Sequence, residues 1–158
     1  MGETYLTKEG HERLQAEHRL LLQQKRELTE EVSRAAAMGD LRENGEYHAA
    51  REQLQHVAKR LSELDQKLSS VRLIDELEVK EGEARVGSQV TLEDEQTKER
   101  VTYLLVGPDE ADPQQGKLSI ASPLGKSLLG KKQGERFILT LPRASVSYRV
   151  VRVGRFTG

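Results

Sequence analysis

Apolar or small residues recur at Tyr47, Ala50, Leu54, Val57, Leu61, Leu64, Leu68 and Val71, alternating spacings of three and four without a break. That is the narrow stripe of a coiled-coil seam, and it commits the stretch to a helix needing a partner along its length. A looser seam precedes it through Leu14, His18, Leu21, Lys25, Leu28, Val32 and Ala35. Its polar His18 and Lys25 make it a weak oligomeriser by itself. Met38-Gly39-Asp40 separates the two seams, so the economical solution folds them back on each other as an antiparallel helical hairpin. Thr7 is placed to cap the first helix and Gly39 to end it. With about 30 residues per arm and roughly 1.5 Å of rise each, the hairpin is expected to be on the order of 45 Å long.

Near residues 75–84 the chain changes character. All four prolines (Pro108, Pro113, Pro123, Pro142) follow that boundary, with most of the glycines, and the apolar period falls to two. Strands are expected at Arg85–Leu92, Arg100–Val106, Lys117–Ala121, Arg136–Leu141 and Ser145–Val153. Between the third and fourth, Ser122 followed by Pro123 fits an N-cap and a first-turn proline, opening a short helix closed by Gly130. The expected class is α+β: a coiled-coil hairpin over residues 1–77, then a small antiparallel sheet with one short helix over 78–158.

Composition excludes several functions. The 25 Lys and Arg balance 26 Asp and Glu, which rules out holding nucleic acid by bulk charge. Aromatics are 4% with no Trp, too few for a base-stacking platform. The absence of Cys removes disulfides, thiolate zinc sites and a cysteine nucleophile. No apolar run reaches membrane-spanning length, so a soluble, cytoplasmic protein is the default expectation. Catalytic signatures fail as well: Gly125-x-x-x-x-Gly130-Lys131-Lys132 lacks the Ser/Thr of a P-loop, and His48 and His56 stand two helical turns apart, too far for a compact metal pair.

What remains is the hairpin turn, Gly39-Asp40-Leu41-Arg42-Glu43-Asn44-Gly45-Glu46-Tyr47, with acids at spacing three. Asp40 and Glu43 have capping-box spacing, which gives them a structural role. Asn44-Gly45 is a turn signal that starts the helix later and leaves both acids in a loop. Like charges ~4 Å apart repel by only about 1 kcal/mol in water, so both remain ionised. Two carboxylates are too few to hold Mg²⁺ tightly by themselves. They become useful when a rod carries them into another protein's active site.

The segment Gly39–Asn44, continuing through Glu46-Tyr47-His48-Ala49-Ala50-Arg51-Glu52-Gln53, resembles the tip signature of the bacterial GreA/GreB transcript-cleavage factors. Leu6-Thr7-Lys8-Glu9-Gly10, Val106–Asp112 and Ile120–Lys131 resemble the same family in the same order, nearly end to end. The resemblance implies an FKBP-like second domain without prolyl isomerase activity, and an accessory factor rather than an enzyme. It implies RNA polymerase as partner, engaged beside its secondary channel, and the nascent RNA 3′ end of backtracked complexes. By position, Asp40 and Glu43 are then the carboxylates that share Mg²⁺ in the polymerase active site, with no cofactor of the factor's own. Arg51 falls near the RNA, and Ser122 and Pro123 fall where the family's globular domain meets polymerase. A monomer is expected. The family pattern departs at Ala35-Ala36-Ala37, where a basic residue is frequent, at Gly45, where alanine is common, and at Lys25-Arg26-Glu27, where a proline is frequent. Two other functions stay open: a homologue that occupies the channel and inhibits without cleavage, and a structural module whose seam dimerises.

Overall fold

The computed structural model describes residues 3–39, 44–77 and 82–156. The chain divides into two compact units, one built from residues 11–71 and the other from 3–10 with 72–156.

The first unit is the hairpin. Helix α1 (Lys8–Ala36) and helix α2 (Gly45–Leu68) run antiparallel. Their direction is fixed by cross-pairs: Ala35 near the end of α1 meets Asn44 at the start of α2, whereas Glu17 and His18 early in α1 meet Arg60 and Asp65 late in α2. Asn44 Nδ2 donates to the Ala35 carbonyl at 2.7 Å, and Arg60 and His18 reach Glu17 and Asp65 at 2.8 and 2.7 Å. Leu28, Val57 and Leu61 are buried together, with Leu21 and Leu54 against them. Burying each such side chain contributes roughly 2 kcal/mol, whereas exposed ion pairs contribute under about 1 kcal/mol, so the apolar seam holds the hairpin and the ion pairs set its register. Two seam positions depart from expectation. Lys25 is exposed, because a solvated ammonium is cheaper than a buried one. Val71 lies beyond the helix, which stops at Leu68 with Ser69 as C-cap.

Arg60 grips Glu17 through both Nε and Nη2, at 2.9 and 2.8 Å. This hydrogen bonding holds the Glu17 carboxyl below its ordinary value of 4.5. A depressed carboxyl stabilises the fold above its unfolded value and loses that contribution as pH falls through the folded one. Glu17→Gln is therefore expected to lower stability at neutral pH by up to about 1 kcal/mol, with the deficit smaller near pH 3 than at neutral pH. Urea unfolding at the two pH values checks this; an equal deficit at both contradicts it.

The second unit contains a two-stranded sheet of β1 (Thr4–Leu6) and β2 (Val71–Leu73), and a five-stranded sheet. The latter comprises β3 (Ser88–Asp94), β4 (Arg100–Val106), β5 (Lys117–Ser119), β6 (Arg136–Thr140) and β7 (Ser145–Arg155), in the order β5-β4-β3-β7-β6. A short helix, α3 (Pro123–Leu128), follows β5. The sheet is antiparallel except that β5 runs parallel to β4, a departure from the all-antiparallel expectation. Its cause is the connection over residues 107–116. Two 3₁₀ turns, at Pro108–Glu110 and Pro113–Gln115, replace a tight hairpin and return the chain beside β4 in the same direction. The first long strand begins at Ser88 rather than Arg85. Val90, Leu92, Leu105, Leu118, Leu128 and Val150 form the main core, with Tyr103, Phe137 and Tyr148 packed on it.

In the sequence Glu110 stands out only as part of a family motif, yet it is a buried carboxylate joining the chain's start to the sheet. Thr7 donates to it from both backbone N–H and hydroxyl, at 2.7 and 2.5 Å, and Lys117 Nζ lies 3.4 Å away. The Thr7 hydroxyl also accepts from the Gly10 N–H at 3.1 Å, making Thr7 the N-cap of α1 as expected. A Cβ on Gly10 would stand 2.1 Å from Glu110 Oε1, so the carboxylate occupies the space a side chain would fill.

Candidate functional site at the hairpin turn

The connection between Ala36 and Gly45 carries the candidate acids. Asp40 and Glu43 lie outside the described residues, whereas their flanks are described. On the incoming side α1 ends in a turn in which Met38 N donates to the Ala35 carbonyl at 3.2 Å. Gly39 follows at φ +139°, a backbone that favours glycine. Helix α1 thus ends before the position expected from Gly39 alone. On the outgoing side Asn44 is the N-cap of α2: its Oδ1 accepts from Tyr47 N at 3.1 Å while its amide ties to Ala35. The N-cap of α2 is thus Asn44, and the Asp40-x-x-Glu43 capping spacing falls on residues outside the described ones. In the sequence Asn44 is only a turn signal; its position three residues before Tyr47 is what identifies the cap.

Small residues bring the helices close beside this turn. Ala35 and Ala50 are buried, and a groove of about 410 Å³ opens over them, lined by Arg34 on α1, Met38 just beyond its end, and Glu46 and Ala49 on α2. Met38 is 76% exposed. Arg51, on the first turns of α2, is exposed and forms no ion pair among the described residues. Exposed cationic and apolar side chains, Arg34, Met38 and Arg51, thus flank in sequence the segment that carries the acids. Among the described residues no group of three or more His, Cys, Asp or Glu is placed to hold a metal ion.

Ser122 and Pro123 are not near this turn in sequence; they open α3 in the other unit. The Ser122 hydroxyl accepts from Gly125 N at 3.1 Å and donates to the Ser119 carbonyl at 2.6 Å, so it is fully engaged in the cap. Gly125 permits this close turn: a Cβ there would stand 1.9 Å from the Ser119 carbonyl oxygen. Pro123 is exposed and available to a partner.

The described residues thus define a two-unit protein: a long helical hairpin and a small α+β sheet unit. The sequence profile described as "Transcription elongation factor, N-terminal" matches residues 4–73, and that described as "Transcription elongation factor, GreA/GreB, C-term" matches residues 79–155. The chain belongs to the GreA/GreB family of transcription elongation factors. It is 40% identical to the transcription elongation factor GreA of Hyphomonas neptunium over 94% of this chain and 95% of that one. It is 39% identical to GreA of Halorhodospira halophila over 97% and 98%. Among solved structures, GreA factor homolog 1 (Gfh1) of Thermus thermophilus is similar at 31% identity, covering 97% of this chain and 99% of that chain with a TM-score of 0.44. Among the described residues no helix is long and apolar enough to cross a membrane.

Proposed function

We propose that this chain binds RNA polymerase beside its secondary channel, inserts the hairpin turn towards the catalytic centre, and stimulates the polymerase to cut backtracked nascent RNA. The observation that carries this is the cap of α2. Asn44 supplies the N-cap of α2, which supports reading Asp40 and Glu43 as functional rather than capping residues. An arm of 29 residues, about 43 Å at 1.5 Å per residue, supplies reach. The chain's contribution is two carboxylates that orient the attacking water and complete the ligands of an ion shared with the polymerase. That Mg²⁺ supplies the Lewis acid; the cutting machinery is the polymerase's. Arg51 supports the same end by offering a cation to the RNA phosphate, and exposed Pro123 offers the sheet unit a contact with polymerase.

The chain has no cysteine, so Met38→Cys gives a single site for a tethered iron chelate that generates hydroxyl radicals. In complex with backtracked polymerase, cuts are expected in the polymerase segments that carry its catalytic carboxylates. Cuts confined to the enzyme's outer surface overturn insertion. Cuts at the centre with no transcript cleavage by the unlabelled chain make the protein an inhibitory occupant of the channel instead.

A further inference from the structure

Strand register places an unusual set of side chains on the face of the sheet opposite the main core. Val90, Leu92, Val150 and Val153 point into that core, so their neighbours Thr91, Glu93, Arg149 and Arg152 take the other face. The pairings Glu93 with Arg100, Glu93 with Arg149 and Arg149 with Arg136 align one row across β4, β3, β7 and β6. Three arginines thus flank one glutamate. In the next row Thr102, Thr91 and Arg152 stand side by side, with the two hydroxyls 2.9 Å apart. Beyond Arg136 on the same face of edge strand β6 lies Ile138, 66% exposed.

Glu93 holds Arg149 and Arg100 at 3.2 and 3.3 Å, and these arginines keep its carboxyl below the ordinary carboxylate value. Two guanidiniums are thereby fixed in orientation. Arg136 has only an outlying pair with Glu95 at 3.3 Å, and Arg152 has no ion pair among the described residues. Exposed pairs of this kind exchange partners at little cost.

We propose that this sheet face is a docking surface for an acidic segment of a protein partner, whose carboxylates Arg152 and Arg136 take while Ile138 receives an apolar side chain. Charge complementarity selects an anionic occupant. Two features favour protein over nucleic acid. The sheet's aromatics Tyr103, Phe137 and Tyr148 all pack on the opposite, core side, leaving no stacking platform for bases. Glu93 also stands inside the arginine row, where it would repel a continuous phosphate backbone but fits between separate carboxylates. Arginine beside an exposed aliphatic residue is the composition of an interface anchor. This surface belongs to the sheet unit and is independent of the role proposed for the hairpin turn.

The test is fluorescence anisotropy of a labelled peptide alternating glutamate and leucine, titrated with the full chain at low salt. Saturable binding that weakens as salt rises is expected. Arg152→Ala should weaken it about tenfold, Arg136→Ala/Arg152→Ala further, and Arg152→Lys less than Arg152→Ala because the bidentate fork alone is lost. Unfolding temperatures should match wild type; if the double alanine variant unfolds, Arg152→Gln replaces it. Equal binding by wild type and the substituted chains, or no saturable binding at all, overturns the proposal. So does tighter binding of poly(U) that the arginine substitutions abolish, which would make the face an RNA surface.

Discussion

Replacing Glu110 with alanine is expected to destabilise the sheet unit by about 3 kcal/mol, the range for removing one partner of a buried ion pair. The loss has several parts. The Thr7 N–H and hydroxyl lose their acceptors, and Lys117, only 17% exposed, loses its counter-charge. Glu110→Gln should cost less, since an amide oxygen still accepts from Thr7. Gly10→Ala in the wild-type chain should also be costly, because its Cβ would displace the carboxylate it would otherwise meet at 2.1 Å. In the Glu110→Ala background the same change should turn neutral or stabilising, by as much as about 1 kcal/mol, as the space is cleared and alanine favours helix over glycine. Denaturant unfolding of the four chains checks the cycle. Additive losses would show that Gly10 and Glu110 act separately.

The seam residues from Ala50 to Leu64 declared a helix and its buried face because a period of three and four is a local property of the chain. The Ser122 cap and first-turn proline of α3 were legible for the same reason. Val71 was misplaced because the apolar pattern runs on where the backbone turns into β2; nothing local marks the change except paired serines. Contacts between distant segments were not legible. Thr7 and Glu110 are 103 residues apart, and no periodicity links them. The parallel β4–β5 pair depends on how 107–116 turns back. The arginine row on the open sheet face needs the register of four strands, including the irregularity between Thr91 and Leu92 that puts Arg152 and Arg149 on one side. At the hairpin turn the residues left two roles open for Asp40 and Glu43. The family resemblance pointed to the functional one; Asn44 supplies the described N-cap of α2, while Asp40 and Glu43 lie outside the described residues.

The largest functional effect is expected from Asp40→Ala/Glu43→Ala. In the proposed function, two carboxylates that hold an ion weakly in free solution would gain their value inside the polymerase, where low dielectric and a shared Mg²⁺ would magnify each contact. Loss of both should cut stimulated transcript cleavage by about 10² or more, the scale seen when one preorganised stabilising group is deleted from an active site. Folding should be untouched, because the α2 cap is supplied by Asn44. Affinity for polymerase should also persist, because the rest of the hairpin and the sheet unit remain. The decisive measurement is the rate of RNA cleavage by defined backtracked polymerase complexes with saturating wild-type or double-variant chain, with competition binding run in parallel. Carboxylate donation by the turn predicts strong stimulation by wild type and a variant that binds as well but stimulates at least about a hundredfold less. A variant that binds and stimulates like wild type would contradict it.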